Sequence, residues 1–539
     1  MIIKKINIEN FKYFKGKFTL EFNNGINILV GNNETGKSTI LEAIHLALSG
    51  WYNGKYLKND LSQYLFNIDV LNEYFEKINQ KENVPLPYIK IEVFLENVNA
   101  ELQGKNNSDR INSEGVVYTI EFDEDYMDEY ELLIQEDTIT TLPIEYYKIT
   151  WKSFAGENIT SRSIPLKSVI IDSSTFRFQN GSDVYISRII KEKLDEKQKV
   201  SISQTFRKLQ ETFREDKSIK SINKELSDIK NITDKEVEIS VNIASKEAWS
   251  TVLMTYLNKV PFHQIGKGEQ CIIKTNLALT HKKNDNVNLI LLEEPENHLS
   301  YAKLNAFIKN IIDQNKEKQI IVYTHSSFVA NKLGLENIIL LHNQQNIRLN
   351  DLEKYTYNFF KKLPGFDTLR FILNKKIILV EGPSDELIVQ KAYLQKYGKL
   401  PIEDEIDVLS VKLAFKRFLD IAIMLNKKVA VITDNDGNYE KNVRKKYQNY
   451  ENYEFIKICA DKNNTLNTLE PQFVEANKNN LELLCEVIGI NSKKCKNNNE
   501  IAKYMENNKT DWALAVFETT ENLNFPRYIE DAIEWLNNE

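Results

Sequence analysis

At 539 residues the chain is longer than one ordinary hydrophobic core organises, so two or three domains are expected. Hydrophobic residues at 42% and charged residues at 27% are the proportions of a soluble globular protein, which sets aside disordered and membrane-embedded classes. A formal charge of −7 excludes a globally basic nucleic-acid binder, so any such contact must come from local patches. The four cysteines, Cys271, Cys459, Cys485 and Cys495, show no C-x-x-C spacing, so neither structural zinc nor disulfides are expected. The N-terminus lacks the apolar stretch of a signal peptide, and no apolar run approaches a membrane span; a cytoplasmic protein with no membrane partner is the expectation.

Ile2 to Phe14 alternates apolar and polar residues as a strand does. Its Ile8-Glu9-Asn10-Phe11-Lys12-Tyr13-Phe14 resembles the opening of RecF, SMC and related ABC-type ATPases. Gly25 to Val30 predicts a second strand, which runs into Gly31-Asn32-Asn33-Glu34-Thr35-Gly36-Lys37-Ser38-Thr39. This is a complete G-x-x-x-x-G-K-[ST] loop: glycines let the backbone wrap phosphates, Lys37 reaches the β- and γ-phosphates, and the Ser38 hydroxyl is placed for Mg²⁺. Ile40 to Leu48 then predicts a helix whose N-terminal dipole faces the phosphates of ATP. Gln63 fits either the Q-loop glutamine of ABC ATPases, which senses the γ-phosphate metal, or a solvated loop residue. Tyr88 to Leu95, Val116 to Phe122 and Tyr146 to Trp151 predict a β-rich lobe without visible chemistry.

Between about 183 and 228 the pattern turns helical, with Val184, Ile186, Ile189, Ile190 and Leu194, then Phe206, Leu209 and Phe213, at helical spacing. Two readings stay open, a pair of amphipathic helices packed on the ATPase or a dimerisation arm. Gln264 to Gln270 sets Gly266, Lys267, Gly268 and Gln270 before a helical run. It resembles a divergent ABC signature in which Lys267 replaces the usual serine. Asn288 to Leu292 followed by Glu293 and Glu294 is a Walker B pattern, in which Glu293 would hold the Mg²⁺ shell and Glu294 would polarise the attacking water. Pro295 to Leu299 stands where the D-loop does, and Gln319 to Ser326 is a strand ending in the H-loop candidate His325. This order of motifs resembles an ABC-type ATPase. Because the signature of one head completes the site of another in that class, a homo-oligomer of at least two copies is implied.

Pro364 and Gly365 break the pattern and suggest an ATPase domain over 1–360 and a second domain over 370–539. There, Ile377-Ile378-Leu379-Val380 ends in Glu381-Gly382-Pro383-Ser384-Asp385, and Val429-Ala430-Val431-Ile432 ends in Thr433-Asp434-Asn435-Asp436-Gly437. Short apolar runs stopped by acids and glycine predict buried parallel strands whose ends converge on one crevice, where hard oxygen ligands suit Mg²⁺ or Mn²⁺. The pair of motifs resembles a Toprim domain, which implies Glu381 as ligand or acid/base and Asp434 and Asp436 as ligands.

The predicted fold class is therefore α/β: a RecF-like P-loop ATPase with a helical insert, then Toprim. That order resembles the OLD family of nucleases, which includes the nuclease subunit of Gabija anti-phage systems. The resemblance implies a two-metal site of Glu381, Asp385, Asp434, Asp436 and Glu470, with Lys509 of Asn508-Lys509-x-x-x-Ala513 stabilising transition-state charge. It further implies ATP, Mg²⁺ or Mn²⁺ at both sites, a DNA substrate and a UvrD-like helicase partner. An ATPase-controlled ribonuclease cutting tRNA and a non-nuclease RecF-like repair ATPase are the rival readings; no tyrosine-bearing cleavage domain of a topoisomerase is recognisable.

Overall fold

The structure is a computed structural model that describes residues 1–539 except 33, 54, 83, 137–138, 173–177, 180–181, 184–193, 228–238, 240–254, 281–286, 315–317, 343, 349–352, 364–366, 491–496 and 539. The expectations placed on Asn33, on Val184, Ile186, Ile189 and Ile190, and on the Pro364–Gly365 break lie outside the described residues. The chain divides into two compact units. The first comprises Met1–Leu29, Asn33–Thr324 and Leu341–Asn346; the second comprises Val30–Asn32, His325–Leu340 and Ile347–Glu539.

In the first unit an antiparallel sheet runs in the order Lys17–Glu21, Ile2–Glu9, Ile89–Glu96, Ser113–Phe122, and Tyr147–Ser153 also pairs with Ser113–Phe122. Ile6 and Ile8 are fully buried, as their alternation requires. Their neighbour Asn7 is buried too, facing Glu92 across the strands and donating to its carboxylate at 3.0 Å. Glu92 in turn pairs with Lys90 at 2.7 Å, so the buried charge is compensated.

The second sheet of this unit sets Lys167–Asp172, Val287–Glu293, Gln319–Tyr323 and Ile26–Gly31 side by side, all parallel. Strands buried on both faces read as continuous apolar runs, which is how Leu289 to Leu292 and Ile320 to Val322 appear in the sequence. The buried Gln319 ties this sheet to the N-terminal strand, accepting from Ile3 N–H and donating to the Ile3 and Asn23 carbonyls, each at 2.8 Å. Helix Lys37–Ser49 is apolar on nearly every side. It packs against both Ile89–Glu96 and Lys167–Asp172, so it lies between the two sheets. Helices Glu196–Glu215 and Lys217–Ser227 account for the described part of the insert, with Leu209 and Phe213 exposed.

The second unit is built on four parallel strands in the spatial order Ile406–Ser410, Lys376–Val380, Lys428–Ile432, Ile456–Cys459. In chain order that is second, first, third, fourth. Connections after the first and third strands therefore leave toward opposite edges, and a crevice opens between the ends of Lys376–Val380 and Lys428–Ile432. The core beneath includes Ile378, Val380, Ala430, Phe473 and Trp512, the last two rings 5.4 Å apart. Arg370 makes a bidentate pair with the buried Asp407 at 2.7 and 2.6 Å, and Asn374 donates to the same carboxylate at 2.8 Å. Among the described residues no helix is long and apolar enough to cross a membrane.

One sequence expectation fails here. Cys485 is disulfide-bonded, whereas Cys271 and Cys459 are free and buried.

Lys427 is buried and donates to the Ile372 and Asn374 carbonyls; burial depresses its pKa to about 8. Above that value the folded protein has released a proton that the unfolded chain keeps until about 10.5, so this group adds stability as pH rises between the two. Relative to the wild type, Lys427→Met should therefore lose about 1–3 kcal/mol of stability on going from about pH 7.5 to 10 in urea unfolding. A pH-independent difference would contradict the burial argument.

Candidate active sites

The P-loop strand ends at Gly31, and Asn32 follows it. Glu34 takes a left-handed turn at φ 61°, and Gly36 caps the helix at φ 84°. A β-carbon at Gly36 would lie 2.7 Å from both the Phe14 and Tyr13 rings, so backbone conformation and space both call for glycine. Lys37 Nζ donates to Thr35 Oγ1 at 3.1 Å and stands 5.0 Å over the Tyr323 ring. Burial lowers its pKa to about 8, against the opposing pull of Glu294 and Glu293. Ser38 Oγ donates to Glu293 Oε1, and Thr39 is buried in the first helical turn. The hydroxyl and carboxylate expected to share one Mg²⁺ are thus already side by side. This adjacency follows from strand order, because only Gln319–Tyr323 separates the P-loop strand from Val287–Glu293.

Glu294 adopts φ 44°, a left-handed conformation unusual for a non-glycine residue. Its carboxylate accepts from Asn297 Nδ2 at 2.6 Å and is hydrogen-bonded by the Tyr323 hydroxyl, whose pKa burial and this bond push up. Thr324 donates to Glu296 at 2.7 Å, which holds the D-loop segment to the end of the adjoining strand. Helix Lys267–Thr280 carries Lys267, Gly268 and Gln270 in its first turn, with Gly266 just before it. A β-carbon on Gly268 would sit 2.2 Å from the His298 carbonyl oxygen, so the turn expected to be the signature is pressed onto the backbone of the segment expected to be the D-loop. The Gln270 side chain donates to the Ile265 carbonyl at 2.7 Å. His325 follows Thr324 after strand Gln319–Tyr323. Gln63 accepts from Leu142 N–H at 2.9 Å, which gives its amide a structural task in the β-rich lobe.

In the second unit the expected acids lie where the strand order opens its crevice. Glu381 follows the first strand directly. Asp385 sits one turn into helix Pro383–Tyr397, its carboxylate accepting from Gly382 N–H at 3.0 Å. Asp434 and Asp436 follow the third strand, and Glu470 lies buried in the first turn of helix Leu469–Ala476. The charges feel one another. Burial first, then Asp385, Glu381, Glu470 and Asp436, raises Asp434 to about 8. Asp385 rises to about 6, chiefly by burial, with Glu381 and Glu470 adding to it and the Gly382 bond opposing. Glu381 is raised by burial and Asp436, against the attraction of Lys446 and Lys509. Lys509 opens helix Lys509–Glu518, and its carbonyl accepts from Ser384 at 3.0 Å, which ties it to the Glu381 turn.

The donor set is all carboxylate oxygen, which suits a hard divalent ion, and its surplus negative charge calls for one. As the side chains stand, no group of three His, Cys, Asp or Glu among the described residues is drawn together tightly enough to hold a metal ion. The acids thus fit the ion in chemistry and charge, and closing around it takes side-chain movement.

Several contributors escaped the sequence reading. Asn435, fully buried between the two aspartates, donates to the Asp461, Asn463 and Leu466 carbonyls at 3.0 Å each and accepts from Gly437 N–H at 2.8 Å. It fastens the Asp434–Asp436 turn to the next loop and lets Asp436 take φ 47°. Tyr528, buried from the last helix, donates to Gln472 at 2.6 Å beneath Asp434 and Asp385. Lys446, Tyr323 and Asn297 belong with them. Of these, only Asn435 carries a sequence signal, as an amide inside an acidic turn.

A family model described as an AAA ATPase domain matches residues 1–330, and one described as an overcoming lysogenization defect protein-like TOPRIM domain matches residues 372–436. The chain belongs to the OLD family. It is 21% identical to endonuclease GajA of Bacillus cereus over 476 residues, covering 74% of this chain and 68% of that one. A structural maintenance of chromosomes protein 3 homolog of Plasmodium falciparum is 34% identical over 110 residues, 19% of this chain and only 9% of that protein's length. A structure of the recombination mediator RecF with ATP covers 65% of this chain and 99% of its own at 14% identity, with a TM-score of 0.33. At that score the superposition adds no weight, and the α/β fold of this OLD-family chain rests on its strand orders and the family models.

Because the folded protein keeps a proton on Asp434 up to about pH 8 that the unfolded chain releases near 3.8, this acid costs stability increasingly across that window. In EDTA at neutral pH, Asp434→Asn should raise the melting temperature by about 2–6 °C, and the gain should shrink toward about pH 4. An unchanged or lower value at neutral pH would contradict an acid destabilised by burial among its neighbouring carboxylates.

Proposed function

We propose that this OLD-family protein is an ATP-regulated, metal-dependent DNA endonuclease acting in anti-phage defence, with the ATPase in residues 1–360 and the nuclease in 370–539. The observation that carries the reading is the meeting of Glu381, Asp385, Asp434, Asp436 and Glu470 at the switch point of the second unit's sheet, in a chain whose P-loop brings Ser38 to Glu293. The resemblance to endonuclease GajA supports it.

In this reading the five acids would hold Mg²⁺ or Mn²⁺ at the nuclease site, and Ser38 with Glu293 would hold Mg²⁺ beside ATP. Divalent ions there supply the positive charge that the acids lack and make bound water nucleophilic. The chain's own residues do the rest. Glu381, with its raised affinity for protons, is suited to take the proton of the attacking water. Lys509, fixed through its backbone to Ser384, offsets negative charge on the phosphate as the bond to the leaving oxygen breaks. At the other site Lys37 neutralises the β- and γ-phosphates. Glu294, released from Asn297 and Tyr323, orients the water that attacks the γ-phosphate. Gly266, Lys267, Gly268 and Gln270 then serve the P-loop of a second copy, with His325 as γ-phosphate contact. A UvrD-like helicase is the proposed partner.

Supercoiled plasmid and tRNA incubated separately with Mg²⁺ test the substrate. Cleavage confined to tRNA would overturn the DNA reading. Glu381→Ala should cut plasmid at least about 10³-fold more slowly than the wild type, and full retained cleavage would remove the nuclease assignment. Lys37→Ala should lose ATP hydrolysis and nucleotide control of cutting while retaining the metal-dependent cut itself; hydrolysis at the wild-type rate would contradict the P-loop assignment.

A further inference from the structure

The turn that carries Asp434 and Asp436 runs directly into a basic segment, Lys441-Asn442-Val443-Arg444-Lys445-Lys446, folded as a π-helix over Glu440–Lys445. π-turns are rare, and they occur frequently at functional sites. This one is bolted to the acidic turn. Asn442 Nδ2 donates to the Asn435 carbonyl at 3.0 Å, Asn438 Oδ1 accepts from Lys441 N–H at 3.0 Å, and Tyr439 N–H donates to Asn464 at 2.8 Å. Val443 and Tyr447 face the core, Tyr447 with no exposed surface. With those two as the buried side, Lys441, Arg444 and Lys445 are left exposed. Lys446 is half-buried, its ammonium 5.1 Å over the Tyr447 ring and close enough to Glu381 to stabilise that carboxylate.

A cation within the field of Glu381 that is held by a ring face keeps its N–H donors for a ligand. Among the described residues the exposed Arg444 pairs with Glu440 alone, at 3.4 Å across one turn, an exchange partner that a phosphate would displace. The chain as a whole carries −7, so a basic strip at the mouth of an acidic crevice is a local departure, and a polyanion approaching five carboxylates needs one.

We propose that Lys441–Lys446 is the phosphate-binding strip of the nuclease site. Lys446 contacts the phosphate nearest Glu381, and Lys441, Arg444 and Lys445 hold the backbone beside it. This rests on the nuclease reading of the second unit and adds the surface by which DNA is presented to it.

The test uses the full chain, a duplex DNA oligonucleotide, and three variants: Lys446→Ala, Lys446→Arg, and the triple Lys441→Ala/Arg444→Ala/Lys445→Ala. Affinity is measured in EDTA over a range of NaCl, and cleavage as a single turnover with Mg²⁺ at saturating enzyme. The triple variant should bind at least about tenfold more weakly, with a log–log salt dependence shallower by about 2–3. Lys446→Ala should slow the single turnover at least about 30-fold while affinity changes little, and Lys446→Arg should restore most of the rate. A wild-type salt slope in the triple variant, or a wild-type rate in Lys446→Ala, would overturn the proposal. Failure of the nuclease reading has its own signature, Glu381→Ala cutting as fast as the wild type or no cutting by any form. In that case the metal-free salt slope still decides whether the strip binds a phosphate backbone.

Discussion

Carboxylates that would repel one another in water are set here by adjacent parallel strands and the helices that follow them around one crevice. Lys376–Val380 and Lys428–Ile432 are adjacent, in register and buried on both faces, so Glu381 and Asp434 both follow the ends of neighbouring strands. The helix after the first strand adds Asp385, and its N–H groups offset only part of the charge. Burial first, and then the neighbouring carboxylates, raise the proton affinities of Asp385 and Asp434. A site in this condition favours whatever brings positive charge, whether protons, divalent ions or lysines, and the rest of the second unit is arranged around that demand.

The first unit meets an opposite demand, for an anion site. The P-loop helix begins at Gly36, which has no side chain to cap it, so its dipole faces the loop that Lys37 and Ser38 follow. Parallel strand order then sets Ser38 against Glu293 and leaves Glu294 at the strand end, held by Asn297 and Tyr323 in a strained backbone conformation. The segment that supplies Asn297 also presses its His298 carbonyl against the turn at Gly268. Movement of that turn therefore bears on the segment that holds Glu294.

Much of this was legible in the sequence because function follows buried strands. Apolar runs such as Ile377 to Val380 and Leu289 to Leu292 are long enough to be read as strands, and acids at their ends have no structural reason to be there. The P-loop needed no context beyond its flanking strand and helix. What stayed hidden depends on tertiary contact. Gln63 looks like any loop amide until Leu142 is seen to use it; Cys485 gives no local hint of its bond. Asn435 and Tyr528 are placed by residues far along the chain, and Lys446 lies in a run of cations that reads as solvated surface until its π-turn points it toward Glu381.

The central claim is that the second unit's acids form a divalent-ion centre independent of the P-loop. Equilibrium Mn²⁺ binding, followed by electron paramagnetic resonance without DNA or nucleotide, tests it most directly. The account predicts that Glu381→Gln/Asp434→Asn loses ions that Ser38→Ala retains. Equal Mn²⁺ binding by the wild type and the double variant would contradict it.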